Sequence, residues 1–290
     1  MKKLFFIAAV SLAAFACTRE DASCTKSISI RAGIGEVTKV STTGNLASFQ
    51  EGDRLSLYAW TGSATSVNTS RVVDGVTNTL GADGKWTPET QMRWADMVTP
   101  HYFIGIYPAR TVTDFTADAF TLDPADYEAS DLLIATNLAG LKAQDDPVSL
   151  SFDHALAKLY VNLTFRNQWA EAPTVTAVTV TSCKTATVDY LARELSATGT
   201  AVPVALTASA NNAWSGLQVP QTGVNTLTVT LEGQDYVYTH TADIPLQGGK
   251  YTTVNLVIGR DQMNLASDIT ISDWTSQGAA IDGDVFKPAE

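Results

Sequence analysis

Residues 148–165, VSLSFDHALAKLYVNLTF, decide the fold. In the first part Val148, Leu150 and Phe152 share one face, with Ser149 and Ser151 opposite. In the second part Leu159, Val161, Leu163 and Phe165 share a face, with Lys158, Tyr160, Asn162 and Thr164 opposite. Both halves have period two, the mark of a half-buried strand. The apolar set sits on even numbers before Asp153-His154 and on odd numbers after Ala157. A one-residue slip moves every side chain to the other face, so the chain must bulge or change sheets near His154. The stretch reads as a hinge through which one extended path leaves one β-domain and enters the next.

The surrounding chain agrees. Its 290 residues suffice for two domains. Strand-forming Thr, Val, Tyr, Phe and Trp abound, and no long stretch has helical spacing. Short strands with turn signals every ~8–12 residues mean sandwiches or barrels. Expected strands are Ser27–Ile34, Leu55–Trp60, His101–Tyr107, Phe115–Leu122, Thr174–Thr181, Val202–Leu206 and Tyr251–Ile258, with a short one at Ile269–Ile271. Asp83-Gly84 and Glu232-Gly-Gln-Asp235 predict hairpins. Thr61–Asn78 and Ala210–Gly216 read as loops and Asp189–Leu195 as a short helical turn. Asp131–Ala135 reads as a strand or one turn of helix.

The N-terminus suggests export. Lys2-Lys3 precede an apolar run of 13 residues, Leu4–Ala16. That is shorter than the ~20 residues needed to span a bilayer and fits a signal peptide, residues 1–16. The run ends in Phe15-Ala16-Cys17, which resembles a bacterial lipobox, although Phe15 is bulkier than usual there. Cleavage before Cys17 would make it the lipidated first residue, anchored to the outer membrane. The alternative is an ordinary cut near Ala16, with Cys17 incidental. The acidic pair Glu20-Asp21 looks like a surface-export tag, and residues 17–26 read as a tether. In an oxidising compartment Cys24 and Cys183 either pair or stay apart.

Chemistry is sparse. The formal net charge of −11 repels phosphate backbones and argues against nucleic acid as a partner. With three His, few catalytic sets are available. His101 starts a strand, His240 ends one, and His154 beside Asp153 reads as a hinge side chain satisfied by backbone carbonyls. No nucleophile elbow or zinc-helix motif accompanies them. Asp83-Gly84, Asp145-Asp146 and Asp282-Gly-Asp284 lack the spacing of a calcium loop. We therefore expect a protein that is not an enzyme and has no cofactor and no metal.

Several pieces occur in a familiar order: Phe49-Gln-Glu-Gly-Asp-Arg54, Gly84-Lys-Trp86, Tyr102–Pro108, Asp131-Leu-Leu133, Leu150-Ser-Phe-Asp-His-Ala155, Val219-Pro-Gln221, Gly249-Lys-Tyr251 and Ile271-Ser-Asp-Trp274. Together they resemble the fimbrillin-like family, the lipoprotein subunits and accessory proteins of type V pili. The resemblance implies an all-β fold of two tandem transthyretin-like, Greek-key-type sandwiches, placed here at 27–153 and 154–290. It implies a cell-surface subunit, tip or anchor that mediates adhesion. Other fimbrial subunits would be its partners, with a host or glycan ligand also in view. It also implies assembly by strand exchange. A protease with Arg or Lys preference removes the N-terminal strand, and the groove takes a terminal strand of the next subunit. The acceptor edge would then be Ser27–Ile34, with Ile28 and Ile30 as its candidate residues. Candidate cut sites are Lys39, favoured by its Thr/Ser/Gly-rich surroundings, then Arg31 and Arg54. The donor would lie in Thr275–Glu290, with Ala279, Ile281, Val285 and Phe286 as its apolar set. A second reading is a glycan-binding surface lipoprotein of a polysaccharide-uptake system. It would require an exposed row among Trp60, Trp86, Trp94, Trp169, Trp214 and Trp274.

Overall fold

A computed structural model describes residues 26–35, 48–169, 171–260 and 262–274. The strands in chain order begin with β1 (Ile30–Ile34), β2 (Arg54–Thr61), β3 (Val73–Leu80), β4 (Trp86–Pro88), β5 (His101–Tyr107) and β6 (Asp118–Thr121). One short helix, α1 (Tyr127–Ser130), follows. Then come β7 (Leu133–Leu141), β8 (Val148–His154), β9 (Ala157–Phe165), β10 (Val175–Ser182), β11 (Thr185–Asp189), β12 (Glu194–Thr198) and β13 (Val202–Ala205). The last are β14 (Thr207–Ala208), β15 (Ala213–Gln218), β16 (Thr226–Leu231), β17 (Gln234–Thr239), β18 (Lys250–Ile258), β19 (Met263–Leu265) and β20 (Thr270–Asp273). The expected all-β class is what forms.

The strands make four sheets. A seven-stranded sheet has the order β1-β8-β7-β5-β2-β3-β4. A four-stranded sheet runs β13-β10-β16-β17, a three-stranded one β12-β11-β6, and a six-stranded one β14-β15-β9-β18-β19 with β20 on β18. The chain changes sheets at Ala155-Leu156: β8 belongs to the seven-stranded sheet, β9 to the six-stranded one. Val148, Leu150 and Phe152 enter one core cluster, while Leu159, Val161 and Leu163 enter another. The switch in parity of the apolar residues is this change of core.

The seven-stranded sheet is buried on both faces. Leu55, Leu57, Ala59 and Phe103 point into its own core. The alternate residues Tyr58, Trp60, Ile104 and Ile106 belong to a second cluster that runs on into the C-terminal sheets. β6 helps make that contact. Although it precedes the hinge in sequence, it pairs antiparallel with β11, Phe120 opposite Ala186. Phe115 stands edge-on to Tyr58 at 4.9 Å and to Tyr190 at 6.1 Å.

Several local expectations are corrected. Thr61–Asn78 is not all loop, since β3 occupies its second half and pairs with β2. Its Thr and Asn side chains hide a strand, and Asn78 is fully buried with Nδ2 donating to Val76 O at 2.9 Å. Asp189–Leu195 is no helical turn but the β11–β12 hairpin. Asp189 Oδ1 accepts from the N–H groups of Leu191 and Ala192 and folds the turn. Ala210–Gly216 is loop only to Asn212, after which β15 begins. Ser27–Ile34 is regular strand only from Ile30. β19, α1 and the full length of β7 had no clear signal in the sequence.

Candidate functional site

The N-terminal segment closes the seven-stranded sheet, and it does so twice. On one side β1 lies parallel to β8 in the register Ile30↔Val148 to Ile34↔Phe152. Val148 N–H donates to Ser29 O at 2.8 Å and Gly35 N–H to Phe152 O at 2.9 Å. Ser151 Oγ donates to Gly35 O. On the other side, the residues before β1 reach the segment beyond β4, at the opposite end of the sheet. Ser27 bridges Arg93, Ile28 N–H donates to Met92 O at 2.9 Å, and Trp94 N–H donates to Lys26 O at 3.1 Å. Gln91 Nε2 donates to Ser27 Oγ at 3.1 Å, and Lys26 Nζ lies 3.0 Å from Asp145. Residues 26–34 thus form a stave that joins β8, by a regular ladder, to the segment after β4, by an isolated bridge and its flanking hydrogen bonds.

Beneath that stave Ile28 and Ile30 are buried in the core formed with Trp86, Met92, Trp94, Leu150 and Phe152. β7 pairs with β8 only through Leu133↔His154 and Ile134↔Asp153. From Val148 to Phe152 the ladder partner of β8 is therefore β1, among the described residues. Lifting the stave would expose a row of strand N–H and C=O groups above an apolar slot.

The candidate cut sites fall in three settings. Arg31 has an exposed side chain, but its backbone is in the β1–β8 ladder, opposite Ser149. Arg54 starts the central strand β2, where its carbonyl accepts from Ala109 N–H at 2.9 Å. Lys39 lies outside the described residues, in a segment whose two flanks meet at Phe152. Gly35 donates to the Phe152 carbonyl, and the Phe49 ring sits 5.3 Å from the Phe152 ring. Cys17, Cys24 and the donor set Ala279, Ile281, Val285 and Phe286 also lie outside the described residues.

The hinge differs from its sequence reading. His154 is held by a carboxylate rather than by backbone carbonyls: its Nδ1 is 2.8 Å from Asp131 Oδ1. Its ring stacks on Trp274 at 3.6 Å and 5°. Asp153 turns away, its Oδ2 accepting from Arg193 Nη1 at 2.6 Å, so the two neighbours form no dyad. Trp274 N–H donates to Gly249 O at 2.7 Å, and Lys158 Nζ sits 5.5 Å from the Trp274 ring. The last described residue is thereby pinned to the hinge. Sequence alone could flag His154 and Trp274 as unusual types but not as partners, 120 positions apart. A cavity of about 890 Å³ opens beside the hinge between Asp153, Arg193, Pro220, Asp243 and Gly248.

None of the six Trp side chains is exposed. Trp60, Trp86, Trp94 and Trp274 are buried, and Trp169 and Trp214 are half-buried against the larger core. No Trp lines the hinge cavity. The row of rings that sugar stacking needs is not formed.

A family model described as fimbrillin-like matches residues 38–274. The chain belongs to the fimbrillin-like family. Comparison with curated proteins found no match. Among solved structures, this fimbrillin-like chain is similar to two Bacteroides proteins provisionally assigned to cell adhesion. The one from Bacteroides uniformis is 17% identical with a TM-score of 0.65, covering 86% of this chain and 98% of that one. The one from Bacteroides ovatus is 18% identical with the same TM-score and coverage. A fimbrial protein from Bacteroides vulgatus is 14% identical, with a TM-score of 0.52 over 86% of this chain and all of that one. At such identities the likeness is one of fold. Membership of the family points to a fimbrial and structural, non-enzymatic role at the cell surface.

Proposed function

We propose that this fimbrillin-like protein is a lipid-anchored surface subunit, tip or anchor of a fimbrium that assembles by strand exchange. In this reading residues 1–16 are a signal peptide, Cys17 carries the lipid and 17–26 form the tether. Residues 27–153 and 154–290 are two transthyretin-like domains. The observation that supports it is the closing stave: residues 26–34 pair at both ends and bury Ile28 and Ile30, while β8 has no other ladder partner from Val148 to Phe152 among the described residues. A cut at Lys39 would leave that stave held by non-covalent contacts alone. A donated strand from the next subunit would restore its main-chain bonds and refill its apolar slot. Arg31 and Arg54 are weaker sites, because each lies in a paired strand that must first open. The donor is the segment Thr275–Glu290, which presents Ala279, Ile281, Val285 and Phe286.

The test is intact mass and N-terminal sequencing of the protein recovered from the cell surface. A new N-terminus after Lys39, with SDS-resistant ladders, supports a polymerising subunit. An uncut, lipidated Cys17 means an anchor or a glycan-binding lipoprotein. A start with neither lipid nor cut overturns the lipoprotein reading. Deleting 275–290 should abolish chaining without unfolding the molecule, and normal assembly of the truncated chain would refute the donor assignment.

A further inference from the structure

Sheet edges are where one chain can template another, and folded proteins guard them with short strands, proline or charge. Most edges described here are guarded. β4, β14 and β19 have three, two and three residues. β13 has four residues with Pro203 among them, β6 and β20 have four, and β12 has five. β17 is different. Its six residues, Gln-Asp-Tyr-Val-Tyr-Thr, make it the longest described edge strand, with no proline and one charge, Asp235, whose carboxylate accepts from Thr230 Oγ1 at 2.7 Å on the neighbouring strand. Its register against β16 has no bulge. Tyr236 and Tyr238 lean on the larger core, while Val237 between them is 61% exposed.

The ladder shows which groups point outward. His240 N–H donates to Asn225 O at 2.8 Å, so 225/240 is a hydrogen-bonded pair. By alternation Leu227/Tyr238, Val229/Tyr236 and Leu231/Gln234 are the others. Asp235, Val237 and Thr239 therefore direct their N–H and C=O groups away from β16, at an edge with no further ladder partner among the described residues. We propose that this edge pairs with β17 of a second copy of the chain, antiparallel about a two-fold axis through Val237.

That register is self-complementary. Val237 faces Val237 of the partner subunit, and Asp235 faces Thr239 of the partner subunit. All three residues with outward groups are used, in about six main-chain hydrogen bonds. No carboxylate opposes another, although each chain carries a net charge of −11. On the other face Tyr236 stands opposite the partner's Tyr238, a favourable cross-strand pair. Two four-stranded sheets would become one continuous sheet. The contact is small, so it is expected to be weak between free chains and effective between chains held on one surface or arrayed in a fibre. It uses neither the closing stave nor the C-terminal segment, so it stands apart from strand exchange.

Cysteine scanning tests it on the full chain in detergent, in a background with all three native cysteines replaced, Cys17→Ser, Cys24→Ser and Cys183→Ser. A hydrogen-bonded antiparallel pair places its Cα atoms about 5.5 Å apart, within disulfide reach. Val237→Cys should form a dimer under mild oxidation at least about tenfold faster than Asp235→Cys or Thr239→Cys alone. A mixture of the last two should cross-link to each other. Val237→Pro removes an outward N–H that the monomer does not need, so it should keep its circular dichroism and sediment as a monomer at about 100 µM, where the parent associates. If the proline variant loses strand signal, Val237→Lys replaces it. Equal rates for the three single-cysteine chains, or association unchanged in a folded Val237→Pro or Val237→Lys chain, would overturn the proposal.

Discussion

His101 is fully buried at the start of β5, and the hydrogen bonds around it assign its proton. Nδ1 faces Thr99 O at 2.8 Å and so carries the hydrogen, while Nε2 accepts from Ala95 N–H at 3.0 Å. Protonation at Nε2 would break the second bond. Burial lowers the His101 pKa from 6.5, against the weaker opposing pull of Thr99 O and Asp96. The unfolded chain therefore binds more protons than the folded one once pH drops below about 6.5, and stability falls with pH there. The urea midpoint should drop between pH 7.5 and pH 5, and His101→Gln should flatten that difference while lowering the midpoint at both values. An unchanged pH slope in the variant would exclude His101 as its source. In the same loop Asp96 is held at about 2 by the Thr99 hydroxyl and by the Thr99 and Val98 N–H groups. Its contribution is present above pH 3.8 and is lost as pH falls towards 2. Gly105 is constrained by packing. A Cβ there would lie 2.6 Å from Phe152 Cζ and 3.2 Å from Leu150 Cδ1. Gly105→Ala should cost about 1–3 kcal/mol in urea unfolding, and Phe152→Leu should recover part of it.

Among the elements, β1 carries the most consequence for its length. The parallel ladder takes the N–H groups of Val148, Leu150 and Phe152 on β8. Replacing Ile30 with Asp puts an unpaired charge in the apolar slot and should lift the stave. Hydrogen exchange at those three amides should then rise well above that of the parent, while Val178 and Val180 on β10 stay protected. Exchange rising equally in both sheets would mean global unfolding and not a detachable strand. Elements with local instructions were readable from sequence. The β16–β17 hairpin turns on Glu232 and Gly233, both at positive φ, a two-residue turn that a Gly at its second position announces. β3 was not readable, because its Thr and Asn side chains carry no apolar alternation. The β11–β12 turn carries no such local signal, because Asp189 folds it through its own carboxylate.

At the scale of the molecule the two halves share the larger of the two core clusters. The larger cluster runs from Tyr58 and Ile104 on the seven-stranded sheet to Val229 and Leu256 in the C-terminal sheets, and β6 crosses to pair with β11. Neither half can unfold without exposing apolar surface on the other. Calorimetry should therefore show a single transition with equal calorimetric and van't Hoff enthalpies. Two resolved transitions would show that the interface contributes little. The same reasoning places Trp274: stacked on His154, it ties the end of the described chain to the hinge, and Trp274→Ala should cost about 3–5 kcal/mol by urea unfolding.

By itself the sequence determined whatever depends on neighbours in the chain. Period-two alternation in Val148–Phe165 specified two half-buried strands, and its change of parity specified the passage from one core to the other. Asp83-Gly84 and Gly233 specified hairpins, and the order of short motifs specified the fimbrillin-like family. Only the tertiary structure decided which strands are joined across long loops. That β1 lies on β8, more than a hundred residues away, and that Ser27-Ile28 reaches back to Met92-Arg93, follow from which apolar faces and open edges meet in space. Main-chain groups are the same in every residue, so pairing over such distances leaves no mark in composition or periodicity. The partners of His154 and the burial of Trp60, Trp86, Trp94 and Trp274 rest on the same global packing. So does the position of β17 as the longest edge strand among the described residues.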